Sequence, residues 1–305
     1  MVATALPELR AQGHVLDTSE EALGTLRRSD EVVDDAEELR RRVAEDGYLY
    51  LPGLLDREEV LAARHDILIR LQEEGAVAPG TDPMAGVPGP EASGKVRHEV
   101  ALASERLQSL LYGGRLVEFY QRFFGEPVRH FDFTWLRAIP PGPGTAPHGD
   151  SVFMNRGTPT LMTAWVPLGD IDFRLGGLIV LEGSHRLDDL RRDYHVRDVD
   201  AYCENDEADA ALARSGRWSW NGVVDPDPVR LRKRLGLRWL TAEFRAGDVV
   251  TFPMYTLHGS LDNTSDRLRL SCDIRYQPAS QPADPRWVGP RPTAHGTASK
   301  RALIC

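Results

Sequence analysis

The sequence predicts an α+β protein: an all-β core folded as a jelly roll, or double-stranded β-helix, behind a helical N-terminal region. Three observations predict it. Residues 1–127 carry helical spacing and capping signals. Residues 128–280 carry short apolar or alternating segments separated by Pro, Gly and Asp. A charged, tryptophan-rich stretch at 186–240 interrupts that second half as an insertion. Together they give one domain over 1–305, with 281–305 as a tail.

In chain order, EEALGTLRR and DDAEELRRRVAEDG within residues 19–47 read as amphipathic helices, the second ended by Gly47. GYLYLPGLL reads as a short strand, and DREEVLAARHDILIRLQEEG as a helix with an acidic first turn and a terminal glycine. Residues 76–94 are dense in Pro and Gly and read as a loop. ERLQSLLYGGRLVEFYQRFF returns to helical spacing, broken in two by its paired glycines. The β-type segments then follow: VRHFDFTWLRAI, TLMTAWVPL, GGLIVLEG, GDVVTF and RLRLSCDIRY.

A net charge of −9 argues against a nucleic-acid partner, whose phosphates demand Lys and Arg. The N-terminus has no basic stretch followed by an apolar run, and no apolar segment reaches membrane-spanning length. The expectation is a cytoplasmic protein with no membrane partner, its oligomeric state open. Cys203, Cys272 and Cys305 are odd in number and widely spaced, and read as ordinary thiols.

Two segments offer metal ligands. In PHGDS, His148 and Asp150 stand two apart, so an extended backbone points both to one face. His258, in GDVVTFPMYTLHGS, follows a segment that reads as a strand. Two imidazoles and a carboxylate form the facial triad of non-heme iron(II) oxygenases. Each residue also has an ordinary reading, as a loop or strand histidine or a turn-forming aspartate; the joint pattern is what matters. Downstream, Arg269 lies eleven positions beyond His258, and a guanidinium fork suits a dicarboxylate. Arg267 and Arg275 share its strand parity, so alternation does not choose among the three.

From about residue 95 to 276 the chain resembles the phytanoyl-CoA dioxygenase family. PHGDS is similar to the family's HxD segment, TAWVPLGD to its central Trp strand, and LGGLIVLEGSHR to its Gly-rich strand with a Gly-Ser-His turn. AGDVVTFPMYTLHGSLDNTSDRLRLS resembles the closing strands. The resemblance implies a cupin-like barrel with His148, Asp150 and His258 on iron(II) and Arg269, rather than Arg267 or Arg275, on 2-oxoglutarate. It further implies cosubstrate contacts at Ser260, Trp165, Trp135 and Lys95. O2 is the second cosubstrate, and succinate and CO2 the co-products.

The implied activity is hydroxylation of an unactivated carbon in a small-molecule, secondary-metabolite type of substrate. Related halogenases replace the carboxylate ligand with a small residue, so Asp150 favours hydroxylation; desaturation, cyclisation and epimerisation stay open. The rival readings are another cupin-type metalloenzyme and a non-catalytic ligand-binding barrel. The 186–240 insertion departs from the family. Its Arg230, Arg232, Lys233, Arg234 and Arg238 read as a solvated helix face, and Trp218, Trp220 and Trp239 as core or pocket floor.

Overall fold

The computed structural model describes residues 7–305; residues 1–6, the start of the segment read as lacking a leader, lie outside the described residues. A short hairpin, β1 (Arg10–Ala11) and β2 (His14–Val15), precedes β3 (Leu23–Thr25). That last strand occupies EEALGTLRR, where a helix was expected. Helix α1 (Ala36–Asp46) forms as expected: the Asp35 carboxylate accepts from the Glu37 and Glu38 amides, and Gly47 ends it at φ 81°. Strand β4 (Leu49–Leu51) and helix α2 (Arg57–Glu73) follow, the latter capped by Asp56. After the Pro/Gly loop come α3 (His98–Leu102), α4 (Glu105–Tyr112) and α5 (Gly114–Phe124), with Gly113 and Gly114 making the break.

Strands β5 (Val128–His130), β6 (Trp135–Ile139), β7 (Met162–Pro167) and β8 (Leu178–Leu181) lead to the insertion. It holds α6 (Asp188–Asp193), β9 (Ala201–Cys203), α7 (Glu207–Arg214) and α8 (Pro228–Leu235). Then come β10 (Trp239–Thr241), β11 (Val249–Pro253), β12 (His258–Ser260), β13 (Arg269–Pro278) and β14 (Arg301–Leu303). The larger sheet runs β4-β11-β7-β13-β5, with β6 also on β13, and the smaller runs β12-β8-β10-β3. Strand β3 joins in parallel because Gly24 permits it: a Cβ there would sit 2.7 Å from Leu240. The insertion therefore ends one residue before Trp239, whose strand belongs to the sheet.

Alternation sorts the larger sheet. Leu270, Cys272, Ile274 and Tyr276 of β13 pack with Ala164 and Val166 against α2, α4 and α5. The alternate residues Arg269, Ser271, Asp273 and Arg275 face the other way. Between the sheets, Trp165, Val250 and Phe252 meet Leu178, Val180 and Phe244. Leu190, Tyr194 and Leu231 of the insertion join Trp239 of β10 and Leu9, Leu16 and Leu23 of the N-terminal segment in an apolar core over Ile179 and Leu181 of β8.

The thiol expectation is corrected: Cys203 and Cys305 form a disulfide, and Cys272 alone is free and buried. Parallel pairing of β14 with β9 sets Leu303 opposite Cys203 and so brings Cys305 within bonding reach. A separation of 102 residues hides that neighbourhood from the sequence. The tail is further tied by Asp200, whose carboxylate accepts from Arg286 (2.7 Å), His295 (2.8 Å) and Lys300 (2.9 Å). Among the described residues no helix is long and apolar enough to cross a membrane.

Candidate active site

The loop PPGPGTAP delivers His148 to the edge of β12, where its amide and carbonyl pair with those of His258 at 2.9 Å each way. The two rings share one side, their centroids 4.3 Å apart. Backbone extension continues through Gly149, and Asp150 then opens a short 3-10 turn, Asp150–Phe153. The extended spacing expected of the HxD pair thus holds for its first half, and the turn brings in the carboxylate. His148 Nε2 and His258 Nε2 each lie 3.8 Å from Asp150 Oδ1, and the three donor atoms fall within 4.8 Å of one another.

Hydrogen bonding orients all three. His148 Nδ1 meets the Ala146 carbonyl at 2.9 Å and His258 Nδ1 the Thr256 carbonyl at 3.0 Å. Donation there leaves each Nε2 as a free lone pair. Asp150 Oδ2 accepts from the Thr163 hydroxyl and from Arg275 Nη2 at 2.9 Å, so Oδ1 is the oxygen left to ligate. Burial would raise the Asp150 carboxyl, but Arg275 and the two imidazoles outweigh it and hold it well below the usual carboxylate range. Burial, reinforced by neighbouring His258, lowers His148 to about 3, keeping it neutral at physiological pH. This is the donor set of a divalent-metal site with open positions.

Arg269 sits beside this cluster, 2% exposed, with Nη1 donating to Ser271 Oγ at 2.8 Å. Its Nε is buried without a partner, and burial pushes the guanidinium down to about 10. Ser260 and Trp165 line the same cleft, as do His148 and His258. The Ser260 hydroxyl accepts from the Thr145 amide at 2.7 Å, and Trp165 packs edge-on against Phe244. Asn263 fixes the approach to Arg269, its side chain donating to the Ile139 and Arg267 carbonyls. Arg267 itself is exposed beside Asp266.

Trp135 lies in an adjoining, wider cavity of about 260 Å³, with Arg275 over its ring at 4.0 Å. Lys95 is exposed and lines neither space. The insertion walls the wider cavity through Trp218, Asn221 and Val223, and the tail adds His295. The other two tryptophans expected there divide: Trp239 is core in β10, and Trp220 of the insertion stacks under Arg197 at 3.5 Å. Its basic residues are engaged on the surface, Arg230 with Asp225, Arg232 with Asp17 and Arg238 with Glu182.

Sequence reasoning missed three supporting residues. Arg275 was weighed only as a cosubstrate anchor, yet it holds Asp150. The Tyr194 hydroxyl accepts from the Gly149 amide at 2.9 Å and donates to the Gly222 carbonyl at 2.6 Å. His195 Nδ1 lies 2.6 Å from Ser151 Oγ, and its ring packs where a Cβ on residue 149 would be, which requires glycine there. No local pattern marks Tyr194 or His195, because Gly149 and Ser151, which they hold, lie 45 and 44 residues away.

The chain is 29% identical over 282 residues to 1-deoxypentalenic acid 11-beta-hydroxylase of Streptomyces arenae, covering 88% of this chain and 90% of that one. The enzyme of the same name from Streptomyces exfoliatus is 29% identical over 294 residues, covering 89% and 92%. The fold is shared with SnoK, a non-heme alpha-ketoglutarate-dependent carbocyclase from nogalamycin biosynthesis (TM-score 0.58, 22% identity, 86% and 90% covered). It is shared also with EctD from S. alaskensis (TM-score 0.58, 17% identity, 97% and 95% covered). The family model for phytanoyl-CoA dioxygenase matches residues 43–271, which take in the HxD segment, the distal histidine and Arg269, and the chain belongs to that family.

Proposed function

We propose that this protein is an iron(II)- and 2-oxoglutarate-dependent dioxygenase that hydroxylates an unactivated carbon of a small-molecule secondary metabolite. The observation that carries the reading is the convergence of three oriented donors, His148 Nε2, Asp150 Oδ1 and His258 Nε2, beside the buried, incompletely partnered guanidinium of Arg269. Two imidazoles and one carboxylate suit iron(II) and leave sites for a chelating cosubstrate. The unpartnered Arg269 Nε lies in a site that an anionic ligand would complete. We read the two sheets as the halves of a double-stranded β-helix, closed by the helices and insertion into one domain.

Bound iron with 2-oxoglutarate and O2 supplies the oxidising chemistry, succinate and CO2 being released. The protein's part is positioning. Arg269 holds the far carboxylate of the cosubstrate, with Ser260 and Trp165 shaping the space around it. Thr163 and Arg275 hold Oδ2 of Asp150, so that Oδ1 would be the oxygen offered to the metal. The substrate lies in the wider cavity, between Trp135, Phe153 and Trp218, with His148 and Asp150 at its base. The Streptomyces relatives are named as hydroxylases, which together with the carboxylate of Asp150 favours hydroxylation over the other outcomes open to the family.

Anaerobically loaded protein exposed to O2 should turn 2-oxoglutarate into succinate slowly without substrate and faster with it. Replacing His148, Asp150 or His258 by Ala should abolish both rates. Succinate formation that survives all three changes would remove the metal-site assignment.

A further inference from the structure

We propose that the substrate is an apolar carboxylic acid whose carboxylate is held by Arg137. The proposal rests on the oxygenase reading, since it places that acid in the cavity beside His148 and Asp150. Arg137 sits in the middle of β6 and lines both the cosubstrate cleft and the wider cavity. Its Nε donates to Asp273 Oδ2 at 3.1 Å, which fixes the plane of the guanidinium. Among the described residues neither Nη has a hydrogen-bonding partner, and the side chain keeps 23% of its surface open. Its two inner-face neighbours are differently placed: Arg275 gives Nη2 to Asp150 and lies over the Trp135 ring, its Nε and Nη1 buried without a partner, and Arg269 lines only the cosubstrate cleft, with Nη1 on Ser271.

Charge balance points the same way. Three guanidiniums, Arg137, Arg269 and Arg275, face two carboxylates, Asp150 and Asp273, around this site. A divalent iron and a dianionic cosubstrate cancel each other. One positive charge is therefore left over in a confined space where it is weakly screened. A monoanion restores neutrality, and two free Nη groups match the two oxygens of a carboxylate. The remaining wall is mainly apolar, with Trp135, Phe153, Met154, Trp218 and Val223; Thr145 and Asn221 are its neutral polar members, and the ring of His295 on the tail spends Nδ1 on Asp200. An apolar body with a single acidic group fits that lining.

The test uses the anaerobic iron(II) and 2-oxoglutarate form, following tryptophan fluorescence from the cavity residues Trp135 and Trp218. The probes are 1-adamantanecarboxylate and its uncharged counterpart, 1-adamantanecarboxamide. A charge-assisted contact predicts that the acid binds about thirty-fold more tightly than the amide. In Arg137→Gln, whose amide can still donate to Asp273, the acid should lose about that factor and the amide should not change. The 2-oxoglutarate affinity, read from the visible band of the iron chelate, should stay within about twofold.

Equal binding of acid and amide by the unaltered protein would overturn the proposal, as would no saturable binding of the acid. So would undiminished acid binding in Arg137→Gln. A parallel loss of 2-oxoglutarate affinity would assign Arg137 to the cosubstrate instead. Absence of the visible band in the unaltered protein would remove the oxygenase reading itself, a separate outcome.

Discussion

At Asp150 the two carboxylate oxygens have different fates: Oδ2 is taken by Thr163 and Arg275, and Oδ1 faces the two imidazoles. Removing the guanidinium in Arg275→Met should weaken iron(II) binding by about 10- to 100-fold, as supporting hydrogen bonds to ligands usually do. A metal titration of the variant checks this, and unchanged affinity would deny Arg275 its positioning role. Arg269→Ala should raise the 2-oxoglutarate dissociation constant by about thirty- to hundredfold, the equivalent of about 2–3 kcal/mol for a lost charged contact. Arg267→Ala, on an exposed neighbour, should barely change it. The sequence could nominate these arginines but not separate them by alternation, since residues 267, 269 and 275 share parity. What separates them is burial and the partner each finds, and for Arg275 that partner lies 125 residues away. Lys95, by contrast, was drawn in by resemblance alone, and its exposed loop gives it no place in the cleft.

Among the elements, those specified locally were readable. Asp35 with Gly47, Asp56, and the Gly113–Gly114 pair set the helix boundaries through their own backbone chemistry. The strand at Leu23–Thr25 was not readable, because it exists only by pairing with β10 more than 200 residues on. The Cys203–Cys305 bond was hidden for the same reason. Denatured without reductant, the chain should expose one titratable thiol, that of Cys272; three would contradict the bond. The insertion and tail are also joined at Asp200, which is fully buried among Arg286, His295 and Lys300. Asp200→Asn should cost about 3–5 kcal/mol in denaturant unfolding, since it strands buried cations. Burial would raise the Asp200 carboxyl, but hydrogen bonds from His295, Lys300 and Arg286 outweigh it and leave it depressed. A depressed carboxyl stabilises fully above its unfolded value, near 4, and loses that contribution as the pH falls toward the folded value. The stability gap between the protein and Asp200→Asn should therefore shrink below about pH 4.

Over the whole molecule, the larger sheet presents apolar residues to the helices and Arg269, Asp273 and Arg275 to the opposite face. Helices α2, α4 and α5 thus support the site without touching it, and the insertion and tail form its outer wall. That division was partly readable, since the ordered HxD, Trp-strand and distal-histidine segments mark out His148, Asp150, His258 and the cleft beside them. The wall of the wider cavity was not, because it is assembled from residue 96, residues 218–223 and residue 295, each ordinary in its own stretch. Iron(II) with 2-oxoglutarate should raise the melting temperature, because ligands that bind only the folded chain stabilise it by mass action. A more direct measurement is the visible spectrum of the protein mixed anaerobically with iron(II) and 2-oxoglutarate. A weak charge-transfer band that appears in the unaltered protein and is lost in His148→Ala, Asp150→Ala and His258→Ala is the expected result. A folded, unaltered protein without that band would contradict the assignment.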